Sequence, residues 1–277
     1  MEYQSRGNTE AGNTESFALN MTVHGSSSAP LVFLHGLGGT SRYWTCKLTD
    51  KPLNRPAIFV DLLGFGNSPQ PWFRYTVERH LAALHAALSP FEPITIVGHS
   101  LGAALALTYA ARYPGKVKAL VLLSLPYYST QDRATAWLRR TPSGWLFTNM
   151  LVAGLTCIIT RRVTGWLLPL ILTNYPREVA EDLVKHNAMS SVTSLWNVLY
   201  RHDLRQEARK LPPDMPVLCL HSEDDDTAPF AEVKELAQSF QNWHLDELTG
   251  VKHHPWLWAI DTCREKIDAF IRHKVPG

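Results

Sequence analysis

The sequence predicts an α/β architecture: a mostly parallel twisted sheet with helices on both faces and an inserted helical cap. Three observations carry this expectation. Short apolar, β-branched runs alternate with stretches of helical spacing, the pattern of a parallel sheet joined by right-handed crossovers. One such run, Ile94-Thr95-Ile96-Val97, turns abruptly into the helix former Leu101 to Ala111 across Gly98-His99-Ser100-Leu101-Gly102. Between Pro126 and Arg205 the strand signals stop and only helical stretches remain. The boundaries that follow are a flexible tail over 1–16, a core over 17–125 and 206–277, and a helical cap (a lid) over 126–205.

The 277 residues suffice for one large domain, or one domain carrying an insertion. Hydrophobic residues make up 45% and charged residues 19%, an ordinary globular balance. A net charge of +2, with no run of lysine and arginine, argues against a nucleic-acid partner. Cys46, Cys157, Cys219 and Cys263 are scattered, which argues against a zinc site or disulfide scaffold and fits a reducing, cytoplasmic setting. Met1 to Ser16 is polar, carries Gly-Asn-Thr-Glu twice, and does not read as a signal peptide. Asn20-Met21-Thr22 matches a glycosylation sequon that, without such a signal, reads as accidental.

The elements are read in order. Phe17 to Thr22 and Leu31 to Leu34 are predicted strands around the turn-rich His24 to Ser28. The second strand runs into His35-Gly36-Leu37-Gly38-Gly39. This loop lacks both the Gly-x-Gly-x-x-Gly of dinucleotide sites and the Gly-Lys-Ser/Thr of a Walker loop. Ala57 to Val60 is the next strand, ending in Asp61-Leu62-Leu63-Gly64-Phe65-Gly66-Asn67-Ser68. Glycines there suit turn geometry and Asp61 suits bonding to nearby backbone. Val77, Leu81, Leu84 and Leu88 give Tyr75 to Leu88 a helical apolar face.

At the 98–102 turn, a side chain at either glycine would collide where strand and helix approach. Ser100 is then held above the sheet, and the Leu101 N–H sits at a helix N-terminus, ready to donate to an anion. Tyr113-Pro114-Gly115 ends that helix, and Val117 to Leu125 is a buried strand.

The block 126–205 holds nine basic against five acidic residues, an excess of about four positive charges. It is rich in large apolar groups such as Trp137, Trp145, Phe147, Leu151, Ile158, Trp166 and Trp196. These pack the cap on the core and could line an apolar acyl or ring pocket. Met150 to Leu172 is the longest apolar region, yet Arg161, Arg162 and Pro169 interrupt it and argue against a bilayer span. Contact with a membrane surface stays open and is not predicted. Met215 to Leu220 resumes the sheet, Val233 to Phe240 is a helix, Trp243 to Leu248 is the last strand, and Ile260 to Val275 is the closing helix.

Gly98-His99-Ser100-Leu101-Gly102, set between strand and helix, resembles the nucleophile elbow of the α/β-hydrolase fold superfamily, in its serine-nucleophile branch with a helical cap. The resemblance extends to the His35-Gly36 loop and to the Asp61-x-x-Gly64-x-Gly66-x-Ser68 turn. It implies that the N–H groups of Leu37 and Leu101 form an oxyanion hole. It implies a catalytic acid after the 215–220 strand, four residues before a proline. Counting from Ser222, which replaces the family's glycine, or back from Pro229, selects Asp225, with Asp224 and Asp226 as competitors. The histidine is expected after the last strand, two residues before a proline. That selects His253, with His254 as the alternative and Lys252 where relatives usually have glycine.

Ser100, Asp225 and His253 follow the chain order of this fold. The resemblance implies a serine hydrolase acting through an acyl-enzyme on an ester-type carbonyl, with a small hydrophobic substrate bearing an acyl or ring group and no metal or organic cofactor. Serine at the elbow argues against the haloalkane dehalogenases and epoxide hydrolases, which use aspartate there. Thioesterase, carbon–carbon bond hydrolase, perhydrolase and slow-turnover receptor readings share the triad, and fold alone does not separate them. Oligomeric state is not legible.

Overall fold

The computed structural model describes residues 17–25, 30–48 and 52–275. The 1–16 tail and most of the His24 to Ser28 turn lie outside the described residues. Among the described residues, seven strands form one sheet: β1 (Met21–His24), β2 (Leu31–Leu34), β3 (Ala57–Val60), β4 (Ile94–His99), β5 (Val117–Leu123), β6 (Val217–Ser222) and β7 (Trp243–Leu248). Their spatial order is β1-β3-β2-β4-β5-β6-β7. All neighbours are parallel except β1, which runs antiparallel along the edge beside β3. The first strand starts later than the residue pattern suggests, at Met21 rather than Phe17, and β6 likewise runs 217–222 rather than 215–220. In both, pairing with a neighbouring strand sets the limits, not the apolar run.

β2, β3 and β4 are buried along their whole length, and burial on both sheet faces explains why β2 and β3 are apolar throughout rather than alternating. Val32, Leu34, Ile58, Val60, Ile94 and Ile96 point into one core, with α2 (Val77–Leu88) and α3 (Leu101–Arg112). Leu31, Phe33, Phe59 and Val97 point into the other. They meet α1 (Arg42–Thr45), α12 (Pro255–Trp258) and α13 (Ile260–Lys274) there. Phe33, Trp44 and Trp256 form its centre, with ring centroids 5.1 to 5.8 Å apart and the Trp256 indole N–H bonded to the Trp44 carbonyl. Thr76 caps α2 by accepting the Arg79 N–H. Asp61 acts structurally: its carboxylate accepts the Ser41 N–H at 2.6 Å and the Asn67 N–H at 2.9 Å, closing the turn after β3.

Between β5 and β6 the chain is helical. It runs through α4 (Gln131–Leu138), α5 (Pro142–Leu146), α6 (Met150–Ile159), a π-helical turn (Thr160–Thr164), α7 (Leu168–Ile171), α8 (Arg177–Asp182), α9 (Ala188–Ser194), a second π-helical turn (Leu195–Tyr200) and α10 (Leu204–Ala208). α10 crosses the boundary the sequence suggests at 205 and packs against α3. α11 (Phe230–Gln238) starts three residues earlier than its apolar spacing implies, directly after Pro229.

Candidate active site

Ser100 is the residue between β4 and α3, and its backbone is in a sterically unfavourable region, φ 50° and ψ −115°. Contacts all around hold it there. A Cβ at Gly98 would lie 2.7 Å from the Ala103 backbone, and one at Gly102 would lie 2.2 Å from the Leu34 carbonyl oxygen. Only glycine allows this approach of helix to strands. The Ser100 N–H donates to the Leu123 carbonyl, tying the turn to β5.

Ser100, Asp225 and His253 come together, although 125 residues or more separate the serine from the other two in the chain. The Ser100 Oγ lies 3.0 Å from Nε2 of His253. Nδ1 of the same ring lies 2.8 Å from Oδ2 and 3.0 Å from Oδ1 of Asp225. All three residues are buried. Burial by itself would raise the Asp225 carboxyl. The charges and bonds of His253, the neighbouring His221 and the Ala228 N–H outweigh it and hold Asp225 well below the usual carboxylate range. The Thr227 and Ala228 N–H groups both donate to Oδ1, at 2.9 and 2.8 Å. An ionised acid beside Nδ1 favours the tautomer that leaves Nε2 free to take the hydroxyl proton.

The neighbouring acids and the second histidine lie elsewhere. Asp224 bonds Ser222 Oγ and receives the Lys252 N–H at 3.4 Å. Asp226 is exposed and bonded to Thr227. His254 packs its ring near Tyr43 and Tyr175, and burial, with His253 beside it, pushes its pKa down to about 3. Lys252, at the position where glycine is usual, adopts a left-handed φ of 47°.

The loop after β2 abuts the serine: a Cβ at Gly36 would sit 3.3 Å from that of Ser100. His35 holds the loop. Its Nδ1–H donates to the Gly36 carbonyl at 2.8 Å, and its Nε2 accepts the Leu62 N–H at 3.0 Å. Neither the Leu37 nor the Leu101 N–H finds an acceptor among the described residues. Two unpaired donors flanking a buried hydroxyl can receive a developing oxyanion.

Sequence reasoning missed two supporting histidines. His99, the residue before the serine, stacks on Tyr43 at 4.5 Å and donates from Nε2 to the His253 carbonyl at 2.8 Å. It ties the elbow to the histidine loop. His221, at the end of β6, bonds the Ala228 carbonyl at 3.0 Å and lies 3.5 Å from Asp225 Oδ2. A lone histidine at a strand end carries no signal of either role. A mostly apolar cavity of about 220 Å³ is lined by Leu37 and Gly38 of the loop after β2, by Ala153 and Cys157 of α6, and by Phe147 and Arg161. Its lining stops short of the Ser100 side chain.

Residues 29–150 match the model of the α/β hydrolase fold family. The chain is 42% identical over 107 residues to Probable lysophospholipase BODYGUARD 2 of Arabidopsis thaliana, a match covering 35% of this chain and 23% of that protein. It is 34% identical over 128 residues to the Homo sapiens 1-acylglycerol-3-phosphate O-acyltransferase ABHD5, covering 41% of this chain and 36% of that protein. The chain thus spans about a quarter to a third of the length of these curated relatives. Among solved structures, E-2-(acetamidomethylene)succinate hydrolase superposes with a TM-score of 0.72 at 20% identity, over 94% of this chain and 97% of that one. A bromoperoxidase from Bacillus anthracis also scores 0.72, at 20% identity, over 92% and 96%. With its strand order, its strained serine turn and these matches, the chain has the α/β-hydrolase fold.

Proposed function

We propose that the protein is a serine hydrolase that cleaves a carboxylic ester with a hydrophobic acyl or ring group through an acyl-enzyme. The observation that carries this reading is the continuous hydrogen-bonded line from Ser100 Oγ through both ring nitrogens of His253 to Asp225. A serine hydroxyl is a weak nucleophile until a base removes its proton. His253 Nε2 takes that proton as Oγ attacks the carbonyl carbon, and Asp225 stabilises the imidazolium that forms. The carbonyl π electrons move to oxygen, and the Leu37 and Leu101 N–H groups receive the oxyanion. One such donor is typically worth on the order of 3 kcal/mol in the transition state. Collapse expels the alcohol, which takes its proton from His253. Water, deprotonated by the same imidazole, then releases the acid.

The apolar cavity beside the Leu37 loop supports an acyl substrate, as do the names of the partial relatives, a lysophospholipase and an acylglycerol-phosphate acyltransferase. In this reading the helices between β5 and β6 act as the cap over the strand ends. The test is intact mass after treatment with a fluorophosphonate, on wild type, Ser100→Ala and His253→Ala. The expected result is a single adduct on wild type, none on Ser100→Ala and slow labelling of His253→Ala. An unlabelled, folded wild type overturns the reading. A series of acyl esters and thioesters of graded chain length then defines the leaving group and the acyl length.

A further inference from the structure

The outer face of the helical insertion lacks what a water-exposed surface normally has. Met150–Ile171 is 22 residues long, and only 11% of its most apolar window is buried. α6 turns Ala153 inward against α9, where Gly154 faces Val192. Its outer stripe is Leu151, Leu155 and Ile158, at helical spacing, and Leu151 is 84% exposed. Trp166 and Leu170 continue the face at 73% and 68% exposure, and Trp145 flanks it. Contiguous apolar surface of this kind marks a binding face.

The charge of the segment identifies the partner. From Arg133 to Pro176 there is no aspartate or glutamate, while Arg133, Arg139, Arg140, Arg161 and Arg162 are present. Arg133 pairs with Glu232 of α11; Arg161 and Arg162 are exposed and have no acidic partner among the described residues. We propose that α5 to α7 form a docking surface for an anionic phospholipid bilayer, with the leucines and tryptophans entering the interface and the free arginines meeting the headgroups. A second copy of this chain fits less well. A two-fold contact through this face would set the same arginines near one another with no acid to offset them.

Lying on the bilayer fits better than crossing it. At 22 residues, about 33 Å, the helical stretch Met150–Ile171 is long enough to cross, but Arg161 and Arg162 fall in its middle, where a charge in hydrocarbon is costly. The π-helical turn carrying both arginines follows α6 directly, and the chain then returns to the same body through Val179 and Ala180, which are buried. The face is also continuous with the cavity. Phe147 and Arg161, both exposed, line the cavity together with Leu37. An ester resident in the bilayer would therefore meet the cavity without crossing water. The docking surface stands whether or not Ser100 is a nucleophile.

The test is flotation of the full chain with vesicles of phosphatidylcholine alone and of phosphatidylcholine containing one third phosphatidylglycerol. Wild type and Ser100→Ala are expected to float with the anionic vesicles, and far less with the neutral ones. Arg162→Gln should weaken partitioning about fivefold. Leu151→Asn with Leu155→Asn should weaken it by at least roughly thirtyfold, with near-UV circular dichroism unchanged. Five outcomes overturn the proposal. The first three are a wild type that stays at the bottom of the gradient, a leucine variant that floats like wild type, and neutral vesicles that bind equally well. The fourth is a dimer, by light scattering, that the leucine substitutions dissolve and that ignores vesicles. Loss of flotation by Ser100→Ala alone would mean that trapped substrate, not this face, holds the protein to lipid.

Discussion

Replacing Gly102 by alanine drives a methyl group into the loop that carries Leu37. The added Cβ would sit 2.2 Å from the Leu34 carbonyl oxygen, 2.6 Å from its carbon and 2.7 Å from the His35 oxygen. An ordinary contact needs about 1 Å more than the shortest of these. The obstacle is backbone in the middle of the sheet, so α3 and the loop must part by that amount. Overpacking of this kind costs about 1–3 kcal/mol, and a 1 Å misplacement of reacting groups costs on the order of a hundredfold in rate. The parting directly widens the gap between the Leu101 and Leu37 N–H groups. Gly154→Ala is the control. Its methyl would lie 3.8 Å from Val192 Cγ2, an ordinary contact, at a mid-helix position where alanine gains about 0.5–1 kcal/mol. Thermal unfolding and the rate of fluorophosphonate labelling measure both variants. Gly102→Ala should melt several degrees lower and label about a hundredfold more slowly, while Gly154→Ala should melt slightly higher and label normally. Wild-type melting and labelling of Gly102→Ala would refute the close-approach argument and the oxyanion geometry built on it.

Two further outcomes follow from the buried titratable groups. If Asp225 orients His253, Asp225→Asn should fold and bind probe yet lose about 10⁴-fold in labelling rate, because an amide can stabilise the wrong tautomer; a loss below tenfold would remove Asp225 from that role. Stability should also fall steeply as pH drops below 6.5. Burial pushes His80 down to about 3, His186 to about 4 and His254 to about 3, so each stays neutral in the folded chain while its unfolded counterpart takes a proton near 6.5. The unfolded state then binds more protons between pH 6.5 and roughly 4. This stabilisation is fully present above 6.5 and lost on acidification, at about 1.4 kcal/mol per pH unit for each histidine. Urea titrations from pH 7 to 5 should show it, and His80→Gln, which can keep the Ser194 contact, should flatten the slope by about one histidine's share. An unchanged slope would mean that His80 is reached by solvent before unfolding.

The two halves of the site were legible to different degrees. Ser100 is readable because the reason for it is local: a strand, two glycines and a helix within a dozen residues define the turn. Asp225 and His253 are readable only through spacing to Pro229 and Pro255, and that spacing leaves Asp224, Asp226 and His254 in contention. Sheet register separates them. β6 and β7 pair from Val217 with Trp243 to Ser222 with Leu248, which sets the loops after both strands side by side. Only then does one carboxylate meet one imidazole. His99 and His221 escape notice for the same reason: their partners, the His253 carbonyl and Asp225, are brought to them by other strands or by a turn.

The sequence by itself determined the order of strands and helices, the serine turn and the helical break between β5 and β6. Hydrophobic period, β-branching and glycine placement act over a few residues and need no partner. Only the tertiary structure decided which acid faces which histidine, where the first strand begins, and which side of α6 is left bare. Those depend on contacts between segments tens to hundreds of residues apart, whose relative positions follow from strand order and pairing. The apolar run Met150 to Leu172 looks the same in sequence whether it is buried or exposed. Its packing through Ala153 and Gly165, with Leu151 and Trp166 left outward, is what makes it a surface.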